Sequence, residues 1–160
     1  MVNAVAYLQG AAYATIGLVW FSQEKGSQST NVYANITGVA AGDHGLHIHQ
    51  FGDLSQGCAS LGPHFNPFNK THGGPTDTEK HPGDFGNVVA DGDGKVQFHL
   101  TVDSLDFSGD NSILGRGIVL HAGKDDLGKG NSPDSKLTGN SGERLACGII
   151  GLAPDAATLD

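Results

Sequence analysis

Apolar and polar positions alternate with a period of two in a series of short runs along the chain, and no helical period competes with them. Val5 and Tyr7 alternate before Gly10, and the β-branched and aromatic run Thr15 to Phe21 is followed by a connection that Gly26 closes. Val32, Ala34 and Ile36 alternate before Gly38, and Leu46 and Ile48 interleave with His47 and His49. Asn87 to Ala90 reads as a strand. Asp91-Gly92-Asp93-Gly94 turns it into Lys95 to Val102, where Val96, Phe98, Leu100 and Val102 share a face. Ile118 to His121 and Gly148 to Leu152 supply the last two strands. Eight short strands without a long helical pattern predict an all-β, antiparallel sandwich or flattened barrel.

Composition agrees with many strands and tight turns: glycine makes up 25 of the 160 residues. That length suits a single domain, 1–160, with a proper core. The formal net charge of -8 argues against nucleic acid and anionic membrane as partners. No apolar run approaches the length of a transmembrane helix, and Met1-Val2-Asn3-Ala4-Val5 lacks the basic start and apolar core of a signal peptide. The expected location is therefore cytoplasmic, and the sequons Asn35-Ile36-Thr37 and Asn69-Lys70-Thr71 are expected to stay unused. Segments 53 to 84 and 122 to 146 are too long for ordinary hairpin loops, and loops of that length are usually functional.

The chemistry is carried by histidine. His47 and His49 sit two apart, so on a strand both rings point to one face while Leu46 and Ile48 point to the other. His64, His72 and His81 follow in a stretch rich in Gly, Pro, Asn and Asp, ending at Asp84. Their spacing fits neither helix nor strand, so a loop must fold back to gather them. Three imidazoles and one carboxylate suit a closed tetrahedral zinc site. His121 lies further on, at the end of an apolar run. His44 could be a ligand or a hydrogen-bonded strut, with the strut favoured, and His99 should be exposed. A cytosolic setting would keep Cys58 and Cys147 as free thiols, although thiolate ligation or a bridge between them remain alternatives.

His47-Ile48-His49-Gln50-Phe51-Gly52-Asp53, Gly62-Pro63-His64-Phe65-Asn66-Pro67, His72-Gly73-Gly74-Pro75 and Gly142-Glu143-Arg144-Leu145-Ala146-Cys147-Gly148 resemble the signatures of the copper/zinc superoxide dismutases. Gly83-Asp84, Asp125-Asp126-Leu127-Gly128 and Thr138-Gly139-Asn140 resemble further segments of that family in the same order. The resemblance implies an immunoglobulin-like, eight-stranded antiparallel Greek-key barrel with two long functional loops. The implied enzyme disproportionates superoxide to oxygen and hydrogen peroxide, with copper and zinc as cofactors.

Residue by residue, His47, His49, His64 and His121 match the copper ligands, and His64, His72, His81 and Asp84 the zinc ligands. His64 would bridge the two metals as an imidazolate. Asp125 matches the carboxylate that links ligands of both metals, Arg144 the arginine that attracts superoxide, and Cys58 with Cys147 the intrachain disulfide. A homodimer is implied, with Val5, Gly52, Leu114, Ile150 and Leu152 in the segments where members pair, and a copper chaperone is compatible as a partner.

Gln50, Glu143 and Leu137 depart from common family residues, and the last two should weaken an anion-guiding field whose rim Lys124, Lys129 and Lys136 could form. The alternatives are a metal-binding or copper-delivery module of the same fold and a zinc-only hydrolase. The first typically lacks copper ligands that are all present here; the second needs an open zinc position that His3Asp does not leave.

Overall fold

The computed structural model describes residues 1–11 and 14–155. The described residues form ten strands: β1 (Val2–Gly10), β2 (Ile16–Gln23), β3 (Ser29–Thr37), β4 (Gly42–His49), β5 (Ser55–Cys58), β6 (Asp84–Ala90), β7 (Val96–Asp103), β8 (Gly117–His121), β9 (Arg144–Ile149) and β10 (Gly151–Ala153). Helical structure among the described residues is one 3-10 turn, Ala59–Leu61, and one α turn, α1 (Ser135–Thr138). None of these helices is long and apolar enough to cross a membrane.

The sheet runs β10-β1-β2-β3-β7-β6-β4-β8-β9, all pairings antiparallel, and it closes where Gln9 and Gly10 of β1 pair with Cys147 and Ala146 of β9. β9 and β10 are one strand interrupted at Ile150, whose backbone bonds to Gly115 and Arg116 instead. The closed barrel therefore has eight positions, as the alternation predicts. Two details differ from the expectation: the last strand is broken, and the short strand β5 forms inside the first long loop. β3 pairs with β7 and not with β4, and β4 lies between β6 and β8. This non-sequential order is the Greek key.

Alternation decides what faces inward. Thr30, Val32, Ala34 and Ile36 of β3 are buried, as are Ala4, Ala6 and Leu8 of β1 and Val19 and Phe21 of β2. Phe21 and Phe85 pack with ring centroids 6.2 Å apart. The Asp91–Gly94 turn is an ordinary hairpin: Asp91 Oδ1 accepts the backbone N–H groups of Asp93 and Lys95. His99 is exposed, as expected, and stacks on Tyr33 at 4.4 Å.

β4 breaks the alternation because it is buried on both faces from His44 to His49. Leu46 and Ile48 enter the barrel core, while His47 and His49 face outward beneath the two long loops. Register shifts fall at the histidines themselves, between Gly45 and His47 on β4 and between Leu120 and His121 on β8. Bulges of this kind re-aim side chains next to functional sites. Gly45 serves the same end, since a Cβ there would meet the Ser141 hydroxyl at 2.4 Å and the His47 ring at 3.0 Å.

Cys58 and Cys147 form a disulfide, so the free-thiol expectation from a cytosolic setting does not hold. The bridge ties the first long loop to β9 over a sequence separation of 89 residues. Restricting the unfolded chain over a loop of that size contributes roughly 4–5 kcal/mol in the chain-entropy account. Reduction, or Cys58→Ser, should lower the midpoint of thermal unfolding by several degrees while leaving the β-rich far-ultraviolet spectrum intact. An unchanged midpoint would contradict this.

Candidate metal centre

Six buried histidines and two buried aspartates converge outside the barrel wall. His47, His49, His64 and His121 form one group, and His64, His72, His81 and Asp84 form another, with the candidate ligand atoms in each group all within 4.8 Å of one another. β4 supplies His47 and His49, β8 supplies His121, and β6 opens with Asp84. The first long loop supplies His64, His72 and His81. All six rings are at most 6% exposed.

Hydrogen bonds fix which nitrogen of each ring is free. His47 donates from Nε2 to Asp125 Oδ2 at 2.7 Å, and His72 donates from Nε2 to Asp125 Oδ1 at 2.8 Å. His49 donates from Nδ1 to the Gly62 carbonyl at 2.8 Å, His121 from Nδ1 to the Gly142 carbonyl at 3.0 Å, and His81 from Nε2 to the Lys70 carbonyl at 3.0 Å. Asp84 accepts the backbone N–H groups of Gly73 and His81 on Oδ2, leaving Oδ1 inward.

What is left over is a set of buried atoms without hydrogen-bond partners in the protein: His47 Nδ1, His49 Nε2, His64 Nε2 and His121 Nε2 on one side, with His72 Nδ1 and Asp84 Oδ1 on the other. Buried polar atoms are rarely left unpaired, and a metal ion removes the cost for all of them together. On the second side the spacing is telling. Asp84 Oδ1 lies 3.4 Å from His64 Nδ1, 3.0 Å from His72 Nδ1 and 3.4 Å from His81 Nδ1, and the Nδ1 atoms of His64 and His81 are 3.2 Å apart. Tetrahedral ligands about 2.0 Å from zinc lie about 3.3 Å from one another. The residues fit the metals.

His64 differs from the other five. Neither of its nitrogens reaches a carbonyl or carboxylate on the outer side; Nδ1 faces the His81 and Asp84 group and Nε2 faces the His47 group. A third grouping, His47, His72 and Asp125, also lies within ligand distance. Its carboxylate oxygens already accept the two ring N–H groups, so Asp125 orients the rings of both clusters.

Asp125 is itself held by a residue that no motif flagged. Asn87 donates from Nδ2 to the Asp125 carbonyl at 2.9 Å and accepts the Asp125 N–H at 2.7 Å. The available signal was a polar residue inside the apolar run of β6. Gly139, at φ 72°, leaves room for the contact between Asp125 and His72, because a Cβ there would overlap both Asp125 Oδ1 and His72 Nε2. His44 is a strut: its ring nitrogens lie 2.9 Å from the His121 carbonyl and 2.6 Å from the Ala40 carbonyl.

A cleft of about 1080 Å³ opens onto His49, His64, His121 and Arg144. Arg144 donates to the carbonyls of Cys58 and Gly62, each at 2.7 Å, so it shares the Gly62 oxygen with His49. Of the three lysines expected at the rim, Lys136 lines the cleft, together with Leu137 and the unanticipated Lys70. Lys124 instead faces Asp43 at 3.4 Å, and Lys129 is not part of the lining.

Burial disfavours the charged form of the inward rings. It pushes His47 down to about 3 and His49 to about 2, and His121 to about 4. His64 is lowered for the same reason. His72 runs the other way: burial opposes its charge, but Asp125 and Asp84 on its two sides raise it to about 9. Asp84 and Asp125 stay ionised well below the usual carboxylate range, because the histidine rings set against them outweigh the cost of burial.

For His47, His49 and His121, the unfolded chain takes up protons near 6.5 that the folded chain refuses until about 4 or below. Metal-free protein should therefore lose stability as pH falls through that window, at up to about 1.4 kcal/mol per unit per ring. The His72 contribution has the opposite sign and fades as pH rises through about 9. Thermal midpoints of the metal-free protein from pH 4 to 9.5 test both limbs; a flat acid limb would contradict the burial argument.

Residues 15–150 match the family described as copper/zinc superoxide dismutase. A relative from Yarrowia lipolytica named Superoxide dismutase (Cu-Zn) is 51% identical over 153 residues, covering 95% of this chain and 99% of its own. The matched stretch contains the barrel from β2 to β9, both long loops and every residue of the two buried clusters, so the chain belongs to the copper/zinc superoxide dismutase family.

Proposed function

We propose that this chain converts two superoxide anions and two protons into oxygen and hydrogen peroxide, with His47, His49, His64 and His121 holding copper and His64, His72, His81 and Asp84 holding zinc. The His64 ring carries this reading: it alone directs both nitrogens into ligand clusters and spends neither on an outer partner. A ring so placed suits an imidazolate shared by two metals. When bound, copper supplies a one-electron change between Cu(II) and Cu(I), and zinc supplies fixed charge without redox chemistry.

The chain's own residues do the rest. Arg144 uses two of its five N–H donors on backbone carbonyls, which leaves donors to bind and orient an anion in the cleft. Its fixed charge is preorganised, so it costs no rearrangement when substrate arrives. His64 Nε2, at the end of that cleft, can hold a proton in one half of the cycle and hand it to reduced dioxygen in the other. Asp125 keeps the His47 and His72 rings in one tautomer, with the lone pair of each turned inward. Ligand rings this buried also suit copper delivered by a chaperone better than capture from bulk solution.

Protein loaded with Cu(II) in both sites should show magnetic coupling, and His64→Ala should abolish it. Magnetically independent metals in the unmutated protein would refute the bridge. Arg144→Gln should lower superoxide turnover by about tenfold or more with both metals retained.

A homodimer is part of the same reading. Phe51 is 50%, Ile149 40% and Leu152 73% exposed, while a Cβ on Gly52 would lie 3.2 Å from the Ile149 side chain. Half-buried Val5 pairs with Gly151, next to Leu152, and these residues together with half-buried Leu114 are the proposed pairing surface. Ile150, expected within the pairing segment, turns its side chain into the core, so the contact would run through Ile149 and Leu152. Sedimentation velocity should give a dimer for the unmutated chain and a monomer for Leu152→Asp; a monomeric unmutated chain would rule the pairing out.

A further inference from the structure

We propose that Arg116 is a positioning residue for His64, holding the bridging ring in place from outside the metal centre; the inference rests on the bridge reading above. Arg116 lies just before β8 and also lines the cleft. Its guanidinium donates from Nε to the Ser112 carbonyl at 2.7 Å, from Nη2 to the Asp110 carbonyl at 2.8 Å and from Nη1 to the Gln50 carbonyl at 3.0 Å. The central carbon of the same group lies over the Phe65 ring, 3.9 Å from its centroid.

Gln50 and Phe65 follow the ligands His49 and His64 directly in sequence. Their segments are laid against each other, with Gln50 N–H donating to the Pro63 carbonyl and Phe65 N–H to the Ile48 carbonyl, each at 2.9 Å. Arg116 touches both segments at once and fastens them to the 104–116 loop.

Its charge is not spent on an ion pair. Among the described residues, the one contact of that kind made by a lysine or arginine joins Lys124 to Asp43. Arg116 is used instead for its fork of donors and its planar face, and lysine can supply neither. His64 has no outer hydrogen bond to orient its ring, unlike the other five. The neighbouring Phe65, only 4% exposed and capped by Arg116, takes over that task through packing.

The test compares unmutated protein with Arg116→Lys, Phe65→Leu and the distant core variant Val19→Ala, each with Cu(II) in both sites. Arg116→Lys and Phe65→Leu should both weaken the magnetic coupling and broaden the Cu(II) resonance at full metal content. Superoxide turnover should fall by about tenfold, short of the ~100-fold that a full ångström of misplacement costs. Val19→Ala should lower the thermal midpoint without moving the coupling. Coupling unchanged in both Arg116→Lys and Phe65→Leu overturns the positioning role alone. Coupling lost equally in Val19→Ala also overturns it, because the effect would then be general loosening. No coupling in the unmutated protein overturns the bridge itself, and this inference with it.

Discussion

The structure turns on how six imidazole rings and two carboxylates can be buried together. A polar group removed from water without a partner costs several kcal/mol, and here eight such groups share one volume. The chain meets this in two layers. Every ring but His64 gives one N–H to Asp125 or to a backbone carbonyl, and the loops exist largely to bring those acceptors within reach. The remaining lone pairs point at one another and are satisfied only by cations. The inner layer is thus unstable without metal by construction, and the barrel behind it must be rigid enough to carry that load.

Rigidity comes from placing both kinds of burden on the same strand. Leu46 and Ile48 anchor β4 in the core while His47 and His49, one step out of phase, face the buried histidine cluster. Neither ring can shift along the strand without dragging an apolar residue out of the core. The outer acceptors are pinned in turn: Asp125 by Asn87, and the Gly62 carbonyl by both His49 and Arg144. One backbone oxygen therefore holds both a ring of the buried cluster and the arginine of the cleft.

Much of this was legible in the chain. Period-two alternation located all eight barrel strands, although β4 and β8 are buried on both faces and the β1 residues that showed it, Val5 and Tyr7, lie opposite the buried Ala4, Ala6 and Leu8; the Asp-Gly turn behaved as hairpin chemistry requires. His47 and His49 could be placed on one face from their spacing alone. The break at Ile150 could not be read, because Gly148 to Leu152 alternates well enough and the interruption is imposed by the backbone of Gly115 and Arg116. Asn87 was hidden for a related reason: its role depends on a residue 38 positions away in the other long loop. The cysteines show the limit of reasoning from compartment, since the pairing is decided by where the first loop meets β9. Lys124 misled in the same way, being near the cleft in sequence but drawn to Asp43 in space.

The barrel closes along β1 in two separate pieces, Gln9 with Cys147 and Gly10 with Ala146 on β9, then Val5, Ala4 and Asn3 with Gly151, Leu152 and Ala153 on β10, and Cys147 carries the disulfide. That seam is interrupted between the two pieces, where Ile150 bonds to Gly115 and Arg116 instead. A closed barrel presents no free strand edges, whereas one parted at this seam presents two, with unpaired backbone groups along β1 and β9. Either edge is a template for strand addition by another chain. The bond from Cys147 to Cys58 anchors the β9 side of this seam to the first long loop, so a reducing environment loosens one of those two edges at the same point where it lowers stability.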